Sequence, residues 1–533
     1  MTDLTRIRRL ASRAPVVVAV LSALTLTSLP AEGAVAERPC SSRAAPGGDW
    51  PTYGHDDANT RSQPQEHSLP PAVAATLSPS WVFSTAAQGD TGVFNSTPVE
   101  SGGCVFVGSS TGRLYALDAR TGALVWSHQV PVATEGLGGT IVGAPAVVGH
   151  LVVLLVNQAG DGTHGPYAVA LDRSTGAQVW RSAPVATDDG YYTNASAAVF
   201  DGLLFFGFSP PEGAADGQGG FALLDARTGA VRAITDTVSR AHQKAGYAGG
   251  GIWSTPAYDP TSGYAYVGAG NPYSKQIEDV RTNAILKVDL DPARATFGRI
   301  VNSYKGNVDQ YTETLQALTQ TPACADTADQ NFGADNPVCG QLDLDFGASP
   351  NLFRDRAGRL LVGDLQKSGV YHVAFADTMG KDWTALVGAS CQLCNAASTA
   401  TDGSSVFAEG TPGGLVTALA APSGAVGWSS PVLDGVHYQG VSVADGVVYT
   451  FDGNGFLDAF DASTGLPVLH RPVGLDAGTS TANLTSAGIA VADHTVLVAA
   501  SGGGGAITAG FAAAGAPNLP ASGYLVAYRA PAG

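Results

Sequence analysis

Short runs of alternating apolar and polar residues, cut by Gly, Asp, Asn and Pro, fill the chain from about residue 80 onward. In Arg113-Leu-Tyr-Ala-Leu-Asp118 the period is two, the mark of a strand, and a turn cluster follows at once. Helix-favouring stretches are scarce. The pattern predicts an all-β protein of many short strands.

The runs are copies of one another. Gly112-Arg-Leu-Tyr-Ala-Leu-Asp118-Ala-Arg-Thr-Gly122-Ala-Leu-Val-Trp126 is the clearest copy. Pro166–Trp180 and Gly220–Arg232 repeat it, so that Asp118, Asp172 and Asp225 stand 54 and 53 residues apart. Weaker copies follow at Ala284–Asp291, Gly369–Trp383, Gly414–Trp428 and Gly455–Leu466, with a half-copy at Gly523–Arg529. Each reads as a strand ending on Asp, a Thr-Gly turn, and a second strand. The Asp accepts backbone N–H bonds and Gly supplies the positive φ. Trp126, Trp180, Trp383 and Trp428 recur at one place in the copies and are expected to pack between neighbours. One four-stranded unit per copy predicts a single eight-bladed β-propeller. The last half-copy lacks its closing strand, and Ser80-Trp81-Val-Phe-Ser84 has the character to supply it, hiding the ring's open edges.

Composition changes this little. The 68 Gly and 31 Pro fit dense turns, and only 14% of residues are charged. The formal net charge of −17, from 28 basic and 45 acidic residues, argues against a nucleic-acid partner, which needs clustered Lys and Arg. It suits solubility outside a cell.

The first 36 residues read as a processing signal. Arg6, Arg8, Arg9 and Arg13 open it, an apolar run spans Ala14 to Leu29, and Ala34-Val35-Ala36 offers a small-residue cleavage site. The Arg8-Arg9 pair hints at a twin-arginine exporter, although its flanks fit that pattern poorly. The expected organisation is a signal peptide at 1–36, an extension at 37–80 leading into the ring, and the propeller at 81–533, secreted or otherwise extracytoplasmic. No later segment offers the apolar length of a membrane span.

Six cysteines fit an oxidising compartment. Nearness in sequence favours Cys324–Cys339 and Cys391–Cys394, which leaves Cys40 with Cys104, but six cysteines allow fifteen pairings and sequence alone does not choose. Cys391-Gln-Leu-Cys394 is followed by Asn395 rather than His, so it is no c-type haem site, and no further close ligands make it a zinc site.

Three stretches outside the repeat carry a resemblance. They are Asp49-Trp-Pro-Thr-Tyr-Gly-His-Asp-Asp-Ala-Asn-Thr-Arg61, Gly251-Ile-Trp253 through Gly-Ala-Gly-Asn271, and Asp343-Leu-Asp-Phe-Gly-Ala-Ser-Pro350 followed by Gln366-Lys367-Ser-Gly369. With the repeat, they make the chain similar to the propellers that bind pyrroloquinoline quinone (PQQ), in particular to polyvinyl-alcohol-dehydrogenase-like quinoprotein alcohol dehydrogenases. The resemblance implies PQQ, a Ca²⁺ ion held by oxygen ligands, a small or polymeric alcohol as substrate, and an external electron acceptor. It puts the indole of Trp253 under the quinone, with Thr193 and Lys367 as further cofactor contacts, and Glu212 and Asn271 on the metal.

The chain also departs from the family pattern. The run expected to hold the catalytic base reads Val308-Asp309-Gln310-Tyr311-Thr312, with Thr312 where an acid is expected. A hydroxyl without an activating partner is a poor base, so Asp309 or Glu313 are the candidates for that role. An adjacent Cys-Cys pair and a haem motif are both missing. Two other readings therefore stay open: a non-catalytic propeller serving as a binding or assembly scaffold, and a propeller enzyme with diverged chemistry. Glu212 and Lys367 can also be read as solvated loop residues, and Asn271 as an ordinary strand end.

Overall fold

The turn chemistry of the repeat builds the expected hairpins. In the computed structural model, which describes residues 40, 45–131, 140–157, 165–187, 190–211, 214, 216–273, 279–307, 344–389, 395–410, 414–431, 439–452, 455–479, 487–502 and 522–531, Asp118 accepts from the Thr121 amide at 2.8 Å and the Thr121 hydroxyl at 2.7 Å. Asp172 and Asp225 do the same for Thr175 and Thr228. These bonds, the Ser174 and Thr228 hydroxyls first, hold the Asp172 and Asp225 carboxyls below their ordinary range.

Each hairpin forms the third and fourth strands of a blade. Among the described residues there are eight sheets whose blade strands pair antiparallel; seven run outward in chain order, one of them with Ser62–Gln63 added in parallel to Ser442–Ala444, and the eighth takes its outermost strand from the other end of the chain. Blade 1 comprises Val99–Ser101, Cys104–Gly108, Arg113–Asp118 and Leu124–Gln129. Blades 2 to 7 begin on the inner strands Ala146–Val148, Ala198–Phe200, Ala257–Asp259, Asn351–Arg354, Ala400–Thr401 and Ser442–Ala444. Blade 8 contains Ile489–Ala492, Thr495–Gly502 and Ser522–Arg529, and it is completed by Ser78–Ser84 from the other end of the chain. The expected closing strand thus forms, starting two residues earlier than read. The all-β, eight-bladed expectation is borne out. Middle strands are buried on both faces, as in Leu151–Val156, whereas outer strands such as Leu124–Gln129 are half exposed.

A Trp–Gly seam joins the blades. The indole N–H of Trp126 donates to the Arg173 carbonyl of the next blade at 2.9 Å. Trp180 does so to Ala226, Trp383 to Ala421, Trp428 to Ala462, and Trp81 of the closing strand to Ala119. Each indole lies on the turn glycine of that next blade. A Cβ at Gly176, where φ is +71°, would come within 2.5 Å of Trp126. The same glycine therefore answers two demands, a left-handed backbone and a bare surface for its neighbour's ring. Gly176→Ala is expected to cost about 2–4 kcal/mol, from the positive φ plus overpacking, read as a lower urea midpoint. An unchanged midpoint would show that the seam is soft.

The inner strands are tied by a belt of hydroxyls. The Ala144 amide donates to Ser196 Oγ of the next blade at 2.9 Å, Ser196 to Thr255 at 3.2 Å, Thr255 to Ser349 at 2.9 Å, and Ser349 to Ser398 at 3.0 Å. Gly488 of blade 8 donates to Thr97 ahead of blade 1 at 2.7 Å. Buried amides that no sheet partner reaches are thus satisfied by side chains.

Part of the expected extension also belongs to the ring. Residues 48–63 visit every inner strand in order: Gly48 meets Asp493, Trp50 pairs with Glu100, and Pro51 accepts from Val147. Thr52 then reaches Ala197, Asp57 accepts from Tyr258, Ala58 from Leu352, Thr60 from Thr401 and Arg61 from Val443. Gln63 closes the circuit on Val491. Cys40, ahead of this segment, is bonded to Cys104 of blade 1. The other four cysteines lie outside the described residues.

Candidate active site

Three consecutive glycines bring the key aromatic into place. Gly249 has φ +100°, and a Cβ there would meet the Asn271 carbonyl at 2.4 Å. A Cβ on Gly251 would meet Ser209 Oγ at 2.5 Å. Only glycine lets this segment pass between blades 3 and 4, where the Gly250 amide donates to the Asn271 carbonyl at 2.9 Å. The segment ends on Trp253, which is half-buried.

Trp253 is held from blade 5. Its indole N–H donates to Asp345 Oδ2 at 3.1 Å. A Cβ on Gly347 would fall 2.2 Å from Cη2 of the ring, so the glycine is a seat for the indole. Lys367 Nζ sits 2.8 Å from Asp345 Oδ1 and 5.1 Å from the Trp253 ring centroid. The side chains of Lys367 and Asp345 are only 9% and 4% exposed, so this is a desolvated ion pair laid against an aromatic face. Burial pushes the Asp345 carboxyl up, while Lys367 and the indole bond pull it back.

The turn that carries Lys367 is fixed on every side. The Lys367 amide donates to the Asp345 carbonyl at 3.0 Å, and its own carbonyl accepts from Asn395 Nδ2 at 3.1 Å. Gln366 Oε1 accepts from the Ser368 hydroxyl at 2.8 Å and from the Asn307 amide at 3.0 Å. His372 Nε2 lies 3.0 Å from the same oxygen, and His372 Nδ1 lies 3.0 Å from the Tyr304 hydroxyl. An acceptor at one nitrogen and a donor at the other assign the Nε2–H tautomer. Burial pushes this imidazole down to about 4, so it stays neutral at working pH.

The other expected residues fall as follows. Thr193 is buried, takes the Asn157 side-chain oxygen on its amide at 2.7 Å, and donates its hydroxyl to the Gly207 carbonyl at 2.8 Å. Gly207 abuts Ile252, so Thr193 is linked through it to the residue next to Trp253. Asn271 is buried and joined to the Trp253 segment through Gly250. Glu212, Asp309, Thr312 and Glu313 lie outside the described residues. Among the described residues no three His, Cys, Asp or Glu side chains converge on one metal position. The residue that sequence reasoning passed over is Asp345. It stood in the quoted Asp343–Pro350 stretch, and its signal was an acid two residues ahead of a seat glycine at the entry to an inner strand.

Comparison with known proteins gives the same frame. A family model described as "Outer membrane protein assembly factor BamB" (PQQ_2) matches residues 72–330 and 370–517. A polyvinylalcohol dehydrogenase from Pseudomonas sp. is 26% identical, the match covering 78% of this chain and 66% of the relative. One from Sphingopyxis sp. (strain 113P3) is also 26% identical, covering 84% and 72%. The chain thus spans about two thirds of the length of these relatives. The crystal structure of quinohemoprotein alcohol dehydrogenase from Comamonas testosteroni superposes with a TM-score of 0.66 at 17% identity, covering 91% of this chain and 81% of that one, which shows a shared fold. With ring, repeat and family match in agreement, the chain belongs to the PQQ_2 family of β-propellers.

Proposed function

We propose that the protein is a PQQ- and metal-dependent alcohol oxidoreductase, working outside the cytoplasm on secondary or polymeric hydroxyls and passing electrons to an external acceptor. The carrying observation is the desolvated Asp345–Lys367 pair set against the Trp253 indole. The similarity to polyvinylalcohol dehydrogenases supports the substrate class. Among the described residues no helix is long and apolar enough to cross a membrane.

The residues present fit the cofactor. A flat, anionic quinone needs an aromatic floor and a buried cation, and the seated Trp253 ring with Lys367 Nζ above it offers both. Thr193 would be a further contact, and Glu212 and Asn271 the oxygen donors for Ca²⁺. When bound, the quinone supplies the two-electron acceptor and the metal its polarising Lewis acid.

The protein's own part is proton handling and alignment. Asp345 takes the alcohol's hydroxyl proton on its carboxylate, the role expected of Asp309 or Glu313. Lys367 keeps that carboxylate ionised despite its burial. The indole N–H fixes Oδ2, and the Gln366–His372–Tyr304 bonds hold the turn below.

A base must be unprotonated to act, so activity falls as pH drops through the Asp345 pKa. That acid limb should lie above the ordinary carboxylate range, because burial raises it. In Lys367→Met only hydrogen bonds such as that from the Trp253 indole still oppose burial, and the limb of the kcat/KM profile should move further up, by about one pH unit or more. A limb that stays in place would remove Lys367 from this role. The function as a whole is tested by adding PQQ and Ca²⁺ to the purified protein and measuring alcohol-dependent dye reduction. Quinone binding without dye reduction would favour a scaffold.

A further inference from the structure

Residues 48–63 do more than close the ring. Tyr53 leaves the segment between its blade 3 and blade 4 contacts, yet its hydroxyl donates to Ser398 Oγ ahead of blade 6 at 2.6 Å. Its ring therefore reaches across the inner strands from the blade 3–4 side to blade 6. Arg61 arrives from the blade 7 side, gives Nη1–H to the Tyr53 carbonyl at 2.7 Å, and stacks its guanidinium 4.8 Å from the Tyr53 ring centroid. Its other donors go to the carbonyls of Val441, Gly440 and Ile489 and to Ser442 Oγ. A Cβ on Gly440 or Gly488 would lie 2.6 or 2.4 Å from the guanidinium, so both positions are bare to admit it. Arg61 is fully buried.

The layers can be read along one segment. Trp253 belongs to the site, Thr255 to the hydroxyl belt and Tyr258 to the layer bonded to residue 57. At ~3.3 Å per extended residue the site stands about 15 Å from that lower layer. A cleft of about 570 Å³ beside the segment is lined by His55, Asp56, Tyr258 and neighbours, and by none of Trp253, Asp345 and Lys367.

We infer that residues 48–63 are a built-in stopper, with Tyr53 and Arg61 filling the lumen, so that the Trp253 site is a blind pocket entered from one face only. The consequence deepens the proposed function, and rests on it: a polymeric alcohol cannot thread through the ring. It presents an internal segment at the open face and is released from that face, so free chain ends are not required.

Two measurements on the full chain decide this. In hydrogen exchange, the amides of Tyr258, Leu352, Thr401 and Val443, which donate into the stopper at 2.6, 2.9, 2.8 and 2.9 Å, should be protected as well as the middle blade strands. Exchange at loop rates would overturn the stopper. With PQQ and Ca²⁺ added, polyvinyl alcohol bearing bulky groups on both ends should be oxidised within about twofold of the uncapped polymer, and a tenfold or larger fall on capping would overturn the blind pocket. Hydrogen exchange reports on the stopper even if the loaded protein oxidises no alcohol, so failure of the proposed activity and failure of the stopper are told apart.

Discussion

Asp345→Asn is expected to lower kcat/KM for alcohols by about 10²–10⁴-fold while leaving quinone binding intact, because a general base contributes that much. The amide is nearly isosteric and can still accept from the Trp253 N–H, so the indole should keep its seat. It cannot take a proton from the alcohol. It also leaves Lys367 without its counter-charge at 2.8 Å, a change that lowers stability but not the occupancy of the aromatic floor. The check is a pair of titrations, one for quinone binding and one for turnover, on the same preparation. Loss of both together would mean that Asp345 shapes the pocket rather than the chemistry. Retention of turnover would return the base to Asp309 or Glu313.

The second large effect is on stability. Arg61→Met should cost about 3–5 kcal/mol, since the apolar chain fills the volume but leaves several buried acceptors without donors. Those acceptors come from the extension, blade 7 and blade 8 together: Tyr53, Gly440, Val441, Ser442 and Ile489. Burial lowers the Arg61 pKa, yet guanidinium remains charged at working pH, so the folded ring already bears its desolvation. The expected result is a lower denaturant midpoint, with the hydrogen-exchange protection of Val443 and Leu352 falling first. A wild-type midpoint would mean that the stopper is held by its backbone bonds alone.

Why the ring was legible and the stopper was not follows from where each signal resides. The Asp-x-x-Thr-Gly turn and the Trp that ends each copy are local, and the physics that makes them recur is also local or reaches only the next blade. Trp126 on Gly176 shows this, both residues being spelled out in the repeat. The closing strand could be read because Trp81 repeats the seam. Arg61, by contrast, stands in a polar stretch of the expected extension, at the end of a run that carries the family resemblance but no role for Arg61. Its partners lie as far as 428 residues away, and nothing in the local pattern announces them. Gly440 and Gly488 are a trace of its seat, two bare positions just ahead of inner strands.

The candidate site was legible in the same partial way. Trp253 and Lys367 were found by resemblance, and they do meet. The base was sought by counting forward from Asn271, which led to residues 308–313. What brings an acid to Lys367 is instead the fold of blade 5. The entry to its inner strand and the turn after its antiparallel second strand lie on the same side, so residues 345 and 367 become neighbours. Spacing along the chain could not show that.

Whether this pocket takes PQQ on the Trp253 ring is measured directly by quenching of tryptophan fluorescence. Saturable quenching is expected at micromolar PQQ with Ca²⁺ present, one equivalent per chain, abolished in Trp253→Ala and retained in Asp345→Asn. Quenching that is absent, or that survives unchanged in Trp253→Ala, would contradict PQQ binding at this site.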